Sequence, residues 1–224
     1  MCPSKNNRIR MGKFIKRVFD FVFALILIIP AILVSFMGML FVKMVSPEAS
    51  PIFNQVRVGY KGKQFVMYKL RSMTNERDEN GELLPDEVRL KKWGKIIRAT
   101  NIDELFQIWN ILKGKMSWIG PRPLLPGEML VMTEDEQRER QSMQPGITGW
   151  EAIHESKSET RAEMAQFDLY YVRNWSLWLD CQVFFTTIAI IFLKLRPDDS
   201  VRAPKVLESE IKTEKEIGEE DGNR

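Results

Sequence analysis

The sequence predicts a mainly helical α+β protein that is attached to a membrane through its N-terminal part. Three observations support this class: an uncharged run over residues 21–42, two short strand-like runs after it, and helical patterns between Pro- and Gly-rich breaks. The 224 residues are 44% hydrophobic with a mean hydropathy of −0.24, which excludes a protein that crosses the membrane many times. The 13 Phe, 6 Trp and 12 Met can build a core, so the chain is not disordered.

Few residue types are available for catalysis. His154 is the single histidine, which excludes HExxH zinc sites and disfavours a Ser-His-Asp triad. Cys2 and Cys181 lie far apart in the sequence, so a disulfide scaffold is not expected. Any chemistry must therefore rest on carboxylates, on Lys and Arg side chains and on a bound ion.

Charge is unevenly distributed along the chain, although the net charge is only +3. Residues 208–224 contain seven acids and three bases, a net of −4, which leaves +7 on the remaining 207 residues. We expect a charged flexible tail over 205–224 and a basic extension over 1–12. The basic body predicts an anionic partner, which is a nucleic acid, a phosphorylated substrate or a membrane surface.

The uncharged run belongs to a predicted membrane helix over residues 13–43. The 22 residues of the uncharged run, 21–42, are enough to span a bilayer and too many for the apolar part of a signal peptide. Pro30 lies in the middle, where it removes a backbone hydrogen bond and kinks a helix. Basic residues flank both ends, and positive charges favour the cytoplasmic side. The residues alone leave two topologies open, a straight span and a kinked helix that enters one leaflet and returns.

A second apolar run covers residues 183–193 and follows several Tyr and Trp residues. Eleven residues are too few to span a bilayer, and aromatic clusters favour the depth of the lipid headgroups. We therefore expect an amphipathic interfacial helix over about 176–195. A buried core helix is the alternative.

Residues 44–204 are predicted to form one domain of short elements. The runs 52–58 and 64–68 surround the turn 59–62 and predict a β-hairpin. Residues 75–85 are polar and predict a surface loop. Apolar spacing predicts helices over 86–93, 103–112, 128–143 and 158–173.

Two adjacent acids, Asp103 and Glu104, open the helix predicted over 103–112. With Thr100 or Asn101 as the N-cap they are typical of a capping box, and acids also favour the positive end of a helix. The pair also suits phosphate chemistry, in which one carboxylate faces phosphorus while the other holds a metal ion.

Four cations are candidates for the same site: Lys69, Arg71, Arg98 and Arg122. The first two lie at the end of the second strand, the third precedes Asp103 by five residues, and the fourth stands between two prolines. Each alone is typical of a surface charge. Together with a carboxylate pair they resemble a pyrophosphate site.

Eight short motifs occur along the chain in an order typical of one family. They span about residues 13–195 and resemble the bacterial sugar transferase family, the small monotopic phosphoglycosyltransferases. The motifs are KRVFD at 16–20, PIFNQVRVG at 51–59, GKQFVMYKLRSM at 62–73, RATNIDEL at 98–105, WNILKGKMS at 109–117, IGPRPL at 119–124, PGITGW at 145–150 and YVRNWSLWLD at 171–180.

The resemblance implies an enzyme that moves a sugar-1-phosphate from a UDP-sugar to a polyprenol phosphate such as undecaprenyl phosphate. Asp103 would be the nucleophile, and Glu104 with Asp103 would bind Mg²⁺. UMP would leave, and a covalent aspartyl-phosphosugar would form before the lipid acceptor takes the phosphosugar and starts a lipid-linked glycan. The implied phosphate contacts are Lys69, Arg71, Arg98 and Arg122.

The resemblance also implies a location and partners. It favours the re-entrant helix with its kink at Pro30, so that the catalytic domain, 44–204, lies on the cytoplasmic face of the bacterial inner membrane. The partners are then the UDP-sugar, the polyprenyl phosphate and the bilayer, with no nucleic acid. A homodimer is left open.

Three positions depart from the family's usual residues. Phe106 stands where a proline is usual, and Ile29 stands where a serine often precedes the kink proline. Residues 151–156 replace a more polar, Gly-containing stretch, in a region expected to influence which sugar or nucleotide is bound.

Two other functions are alternatives. One is a Mg²⁺-dependent pyrophosphatase that hydrolyses nucleotide sugars with the same carboxylates. The other is a membrane-tethered module that binds anions without catalysis, for which aromatic residues interleaved with the bases would be expected.

Overall fold

The computed structural model describes residues 5–154 and 160–193. These residues are mainly helical with two small two-stranded sheets, which confirms the predicted class. The described residues divide into two compact units, one within 5–59 and 63–117 and the other within 60–62 and 118–193. The predicted tail, 205–224, and the first four residues of the predicted extension lie outside the described residues.

The N-terminal helix, α1, runs from Lys5 to Val45 and contains the predicted membrane segment. Its part Ile9–Val45 is long and apolar enough to cross a membrane. Pro30 lies inside α1, and the helix continues on both sides of it. The kink and the re-entrant path stay predictions.

The two faces of α1 differ in side-chain size and in burial. Small and polar residues dominate the buried face, which includes Asp20, Ala24, Ala31, Ser35 and Val42. Large apolar side chains are exposed on the rest of the helix, among them Ile26, Ile29, Leu33 and Met37. So much exposed apolar surface is typical of a helix that contacts a membrane or another apolar surface.

The predicted hairpin is present in the first unit. Strands β1 (Ile52–Val58) and β2 (Gln64–Leu70) pair antiparallel, with Ile52 opposite Leu70. Phe65 and Met67 of β2 are buried, as expected for alternate residues on the inner face of a strand. The second strand extends two residues beyond the prediction and therefore includes Lys69.

Three short helices complete the first unit: α2 (Asp86–Arg89), α3 (Lys92–Ala99) and α4 (Gln107–Leu112). The single helix predicted over 86–93 is wrong. Leu90 and Lys91 have ψ angles of 81° and 170°, which are not helical, so α2 ends and α3 begins as a separate helix.

The second unit surrounds a cluster of buried residues: Ile119, Met143, Trp150, Ile153, Phe167, Tyr171, Leu179 and Val183. Its elements are β3 (Ser117–Ile119, of which Ser117 is the last residue of the first unit), α5 (Glu134–Arg140), β4 (Gly146–Thr148), α6 (Trp150–Ile153), α7 (Arg161–Arg173) and α8 (Leu177–Leu193). Strands β3 and β4 form a second small sheet, which the sequence did not predict because each strand has only three residues.

The single helix predicted over 128–143 is also wrong. A 3₁₀ turn covers Pro126–Val131, after which the backbone is extended at Met132 and Thr133. Thr133 and Glu136 form a capping box that starts α5. Thr160 caps α7 in the same way, so α7 begins later than predicted, and residues 155–159 lie outside the described part of the chain.

The second apolar run forms α8. Leu179 and Val183 are buried in the core of the second unit, whereas Trp178, Phe185 and Phe192 are exposed. This amphipathic exposure supports the interfacial prediction over a fully buried helix; residues 194 and 195 lie outside the described residues.

Candidate active site

The two adjacent acids lie on a tight turn between α3 and α4. Ile102–Glu104 is a 3₁₀ turn, and α4 starts only at Gln107, so the predicted helix over 103–112 is shorter than expected. Of the two predicted N-caps, Asn101 occupies the N-cap position of this turn but makes no side-chain capping hydrogen bond, and Thr100 belongs to the end of α3. The Thr100 hydroxyl donates to the Ile96 and Ile97 carbonyls of α3, and Asn101 adopts the left-handed conformation with φ 54°.

Apolar side chains on either side of the acids hold this turn. Ile102 and Phe106 pack against the buried cluster of Val42, Leu70 and Ile97. Phe106 therefore contributes packing at the position where the family usually has proline. This packing fixes the backbone that carries the acids.

Lys69 of β2 reaches the acid turn directly. Its Nζ donates to Glu104 Oε1 at 2.7 Å, and both side chains are about one-third exposed. Two amides of α4 fix the strand beside this pair, because Gln107 donates to the Tyr68 carbonyl and Asn110 donates to the Val66 carbonyl. The amides also bond to each other, which keeps α4 and β2 in register.

Arg98 approaches the acid turn from α3. Its Nε donates to Ser72 Oγ at 3.0 Å. Gly94, one turn earlier in α3, allows this approach, because a Cβ there would lie 1.8 Å from the Ser72 carbonyl oxygen. Any side chain larger than hydrogen at Gly94 would push α3 away from Ser72.

The electrostatics distinguish Asp103 from an ordinary surface acid. Asp103 is 8% exposed, and burial raises the pKa of its carboxyl to about 6. The charge of Lys69 opposes that rise in pKa, Glu104 adds to it, and Arg98 opposes it more weakly. Lys69, Glu104 and Arg98 therefore lie near enough to influence the charge of the Asp103 carboxyl.

The structure groups four of the predicted site residues and assigns other contacts to the remaining two. Arg71 donates to the Ser50 carbonyl and to Asn75 Oδ1, and its guanidinium lies 5.9 Å from the Phe53 ring centre. Arg122 belongs to the second unit, where its guanidinium lies 3.5 Å from Glu151. Phosphate contacts by these arginines stay predictions.

The carboxylates fit the expected magnesium ion in one respect. Mg²⁺ is often held by one or two carboxylates together with substrate phosphates, and Asp103 with Glu104 supply such a pair. Among the described residues, no group of three or more His, Cys, Asp or Glu side chains is arranged to hold a metal. Mg²⁺ in such a site usually keeps several water ligands as well.

The start and the end of the apolar run in α1 both contact other residues of the first unit. Near its start, Arg17 donates to the Ile111 and Met116 carbonyls, and Asp20 accepts from Ser117 Oγ at 3.0 Å. Through its hydrogen bond to Ile111, Arg17 places a cation at the C-terminal end of α4, where positive charge is favoured.

Near the end of the run, α1 packs against the strand that carries Lys69. A Cβ at Gly38 would lie 2.8 Å from a Leu70 methyl, and Val42 belongs to the cluster behind the acid turn.

Several residues that position the acids were missed from the sequence. In the sequence Gln107 and Asn110 look like ordinary polar residues of a short helix, and Ser72 does not stand at a position typical of a helix N-cap. An isolated glycine inside a helical pattern, such as Gly94, is the one signal that could have indicated a close backbone approach.

Known proteins resemble this chain over most of its length. A family model described as bacterial sugar transferase matches residues 11–194. The uncharacterized sugar transferase EpsL of Bacillus subtilis (strain 168) is 43% identical over 175 residues, which cover 78% of this chain and 85% of that protein.

Two further relatives have names that state a reaction. The undecaprenyl-phosphate glucose phosphotransferase of Komagataeibacter xylinus is 35% identical over 186 residues, covering 77% of this chain and 35% of that protein. The UDP-N-acetylgalactosamine-undecaprenyl-phosphate N-acetylgalactosaminephosphotransferase of Aeromonas hydrophila is 37% identical over 193 residues, covering 80% and 44%. The chain thus spans less than half the length of these two proteins.

Proposed function

Because the chain belongs to the bacterial sugar transferase family, we propose that it transfers a sugar-1-phosphate from a UDP-sugar to a polyprenol phosphate such as undecaprenyl phosphate. The names of two relatives, which are undecaprenyl-phosphate sugar phosphotransferases, support this reaction class. The observation that carries the proposal is the buried Asp103 beside the Lys69–Glu104 pair.

Asp103 is the proposed nucleophile. With a pKa of about 6 it is mostly ionised at neutral pH, and its partial burial leaves the carboxylate poorly solvated and therefore reactive. One carboxylate oxygen attacks the β-phosphorus of the donor, and the bond from that phosphorus to the bridging oxygen breaks. UMP leaves with the bridging oxygen, and the phosphosugar remains on Asp103.

The second step regenerates the enzyme. An oxygen of the polyprenol phosphate attacks the phosphorus of the acyl phosphate, and the bond between phosphorus and the Asp103 oxygen breaks. The product is a polyprenyl-diphosphate sugar, and Asp103 returns as a carboxylate. Two steps let the soluble donor leave before the membrane-bound acceptor arrives.

The neighbouring charges assist both steps. Lys69 and Arg98 lower the cost of bringing anionic phosphates to an anionic nucleophile. Glu104, with Asp103, would hold Mg²⁺, which when bound neutralises charge on phosphate oxygens. Lys69 Nζ keeps Glu104 oriented at 2.7 Å, so the pair is preformed before substrates bind.

The contacts of α1 support a re-entrant helix. Asp20 precedes the uncharged run and Val42 ends it, and a straight helix would separate them by roughly 33 Å, about the thickness of the hydrocarbon core. A straight span would leave these flanks on opposite sides of the membrane. Both instead contact the first unit, Asp20 through Ser117 and Val42 through Leu70.

This topology keeps the acid turn on the side where the basic flanks reside, which is the cytoplasmic side by the distribution of Lys and Arg. UDP-sugars and the polyprenol phosphate would then meet at the cytoplasmic face of the bacterial inner membrane.

The decisive experiment is the intact mass of the solubilised full chain after mixing with Mg²⁺ and a panel of UDP-sugars. We expect a gain of one phosphosugar that is absent in Asp103→Asn and retained in the matched surface variant Asp135→Asn. Addition of polyprenol phosphate should remove the adduct and make UMP release continuous.

Other outcomes identify the alternatives. UMP release over many turnovers without the lipid acceptor indicates a pyrophosphatase. Acceptor-dependent UMP release without any adduct would exclude Asp103 as a nucleophile and indicate direct transfer. Neither adduct nor UMP with any sugar favours a binding module.

A further inference from the structure

Two buried amides of α4 hold the strand that carries Lys69. Gln107 is 0% exposed and Asn110 is 1% exposed. Gln107 Nε2 donates to the Tyr68 carbonyl, and Asn110 Nδ2 donates to the Val66 carbonyl at 3.1 Å. These two carbonyls are two residues apart on β2 and therefore point to the same edge of the strand. The two hydrogen bonds together restrict the sliding of β2 along α4.

Asn110 also fixes the direction in which the Gln107 amide faces. Its Nδ2 donates to Gln107 Oε1 at 2.9 Å, so Gln107 presents its N–H donors to the Tyr68 carbonyl. A rotated Gln107 amide would place two acceptor oxygens against each other. Buried amides cost free energy unless their hydrogen bonds are made, and an apolar side chain in this core would avoid that cost. The amide pair therefore specifies a strand position that packing alone would leave looser.

The Gln107 hydrogen bond lies next to both members of the Lys69–Glu104 pair. Tyr68 is the residue before Lys69, and Gln107 comes three residues after Glu104. The 2.7 Å contact between Lys69 Nζ and Glu104 Oε1 joins two long side chains that are 30% and 28% exposed. Holding such side chains in one geometry costs conformational entropy, so the contact depends on the separation of the two backbones. Gln107 sets this separation, because it joins the strand of Lys69 to the helix that follows Glu104.

We infer that Gln107 is a positioning residue that holds the Lys69 ammonium against Glu104 while Asp103 attacks the donor. This inference rests on the proposed function for the step that Lys69 assists. Gln107 is fully buried, so its effect on the reaction passes through Lys69 and not through a contact with substrate. Displacing a reacting or assisting group by about 1 Å can slow a reaction by up to about a hundredfold, so we expect a loosened strand to slow the first step about tenfold.

The test is a double-mutant cycle with Gln107→Met, Lys69→Met and the double variant. Methionine keeps the length of the glutamine side chain but cannot donate to the Tyr68 carbonyl. The rate of adduct formation in a single turnover is followed by the intact mass of the solubilised full chain with Mg²⁺ and a UDP-sugar. We expect Gln107→Met to lower this rate about tenfold. When Lys69 is already replaced, the same substitution should change the rate by less than about twofold.

Gln137→Met is the matched control, because Gln137 donates to two backbone carbonyls of a segment that carries none of the site residues. It should lower the melting temperature and leave the rate of adduct formation unchanged. Asn110→Ala is a second test if Gln107→Met fails to fold, since it removes the donor that orients Gln107 and should slow adduct formation in the same way. An unchanged rate in a folded variant overturns the inference, and so does an equal loss of rate in the Lys69→Met background.

The chemical reactivity of Lys69 separates this inference from the proposed function, because it is measured without substrate. Acylation by an amine-selective reagent is followed by peptide mass spectrometry, with the exposed Lys95 of α3 as the internal reference. Gln107→Met should raise the labelling of Lys69 relative to Lys95 about threefold, because the ammonium is held less firmly by Glu104.

That rise in labelling, in a protein that forms no adduct with any UDP-sugar, would refute the transferase and retain the positioning role. An adduct-forming protein in which Gln107→Met changes neither the labelling nor the rate would do the reverse. A protein that forms no adduct and whose Lys69 labelling ignores Gln107→Met would refute both.

Discussion

Two acid–base pairs, one in each unit, have the same chemistry in opposite surroundings. Lys69 and Glu104 meet at 2.7 Å with side chains 30% and 28% exposed. Arg140 Nε meets Asp168 Oδ2 at 3.0 Å, with side chains 4% and 2% exposed. An exposed pair contributes little to stability, whereas breaking a buried pair is costly. The first pair is therefore suited to exchange partners with a ligand, and the second to hold the fold.

The two aspartates next to these pairs differ in the same way. Burial raises the pKa of Asp168, but Arg140 and the Arg122 amide donate hydrogen bonds that oppose this rise. Burial also raises the pKa of Asp103, and the charges of Lys69 and Arg98 oppose it from nearby. The Asp168 oxygens already accept hydrogen bonds from Arg140 and the Arg122 amide, so Asp103 is the carboxylate that is suited to react.

The largest effect is expected from Asp168→Asn. The substitution leaves the Arg140 charge buried without its counter-ion, which should lower the free energy of unfolding by about 3–5 kcal/mol. For a chain of this size the melting temperature should fall by about 10 °C. Thermal unfolding in detergent measures the change.

The exposed pair Asp135–Arg138 supplies the control. Asp135→Asn should change the free energy of unfolding by less than about 1 kcal/mol. If Asp168→Asn melts no earlier than Asp135→Asn, the contrast between buried and exposed pairs fails for this protein.

A smaller loss of stability is expected from a substitution behind the acid turn. There the close packing of α3, rather than an ion pair, limits which side chain fits. In Gly94→Ala the new Cβ would lie 1.8 Å from the Ser72 carbonyl oxygen, so α3 must shift. We expect a loss of about 1–3 kcal/mol in the free energy of unfolding, together with weaker donor binding as Arg98 moves.

Gly127→Ala is the matched control for this crowding, because nothing lies within 4 Å of a Cβ there. Urea unfolding and the KM for the donor should distinguish the two variants. Equal behaviour of both would mean that α3 does not depend on its approach to Ser72.

The sequence predicted the hairpin well and the acid turn poorly, for a physical reason. Strand residues such as Phe65 and Met67 alternate locally, so their pattern alone indicates the structure. Thr100 could cap the following helix or bond back to α3, and a threonine hydroxyl is suited to either hydrogen bond. Packing of Ile102 and Phe106 on distant residues decides between them, and spacing does not reveal that packing.

The site residues divide in the same manner. Asp103, Glu104, Lys69 and Arg98 were predicted as candidates through their motifs, and the structure brings these four together. By contrast, the ion pair Arg140–Asp168 joins residues 28 positions apart in the sequence, so no local sequence pattern predicts it.

A tenfold effect is expected from pH. If Asp103 must be ionised to attack, the rate of adduct formation should rise with a midpoint near pH 6 and reach about one-tenth of its plateau at pH 5. Lys69→Met should raise the midpoint and Glu104→Gln should lower it, because these charges act on the pKa of Asp103 in opposite directions. A midpoint near 4 in the unaltered protein would contradict the buried environment.

Stability gives an independent check of the same pKa. The pKa of Asp103 is higher in the folded protein than its ordinary value of 3.8, so ionisation opposes folding. Asp103→Asn should therefore be more stable than the unaltered protein above pH 6, and this advantage should vanish below about pH 4. Asp168→Asn is expected to be less stable at neutral pH, because it leaves the buried Arg140 without its counter-ion, whereas Lys69 keeps Glu104 as its partner when Asp103 is replaced.

The smallest effect on stability is expected from Glu104→Gln. The side chain is about one-third exposed, and a glutamine oxygen can still accept from Lys69, so the free energy of unfolding should change by less than about 1 kcal/mol. Transfer activity should nevertheless fall strongly, because a neutral amide is a poor magnesium ligand. A melting curve beside a turnover assay over a range of Mg²⁺ concentrations measures both quantities. A large loss of stability would mean that Glu104 is a structural acid, as Asp168 is. Loss of activity in a stable protein would instead identify Lys69–Glu104 as the functional pair.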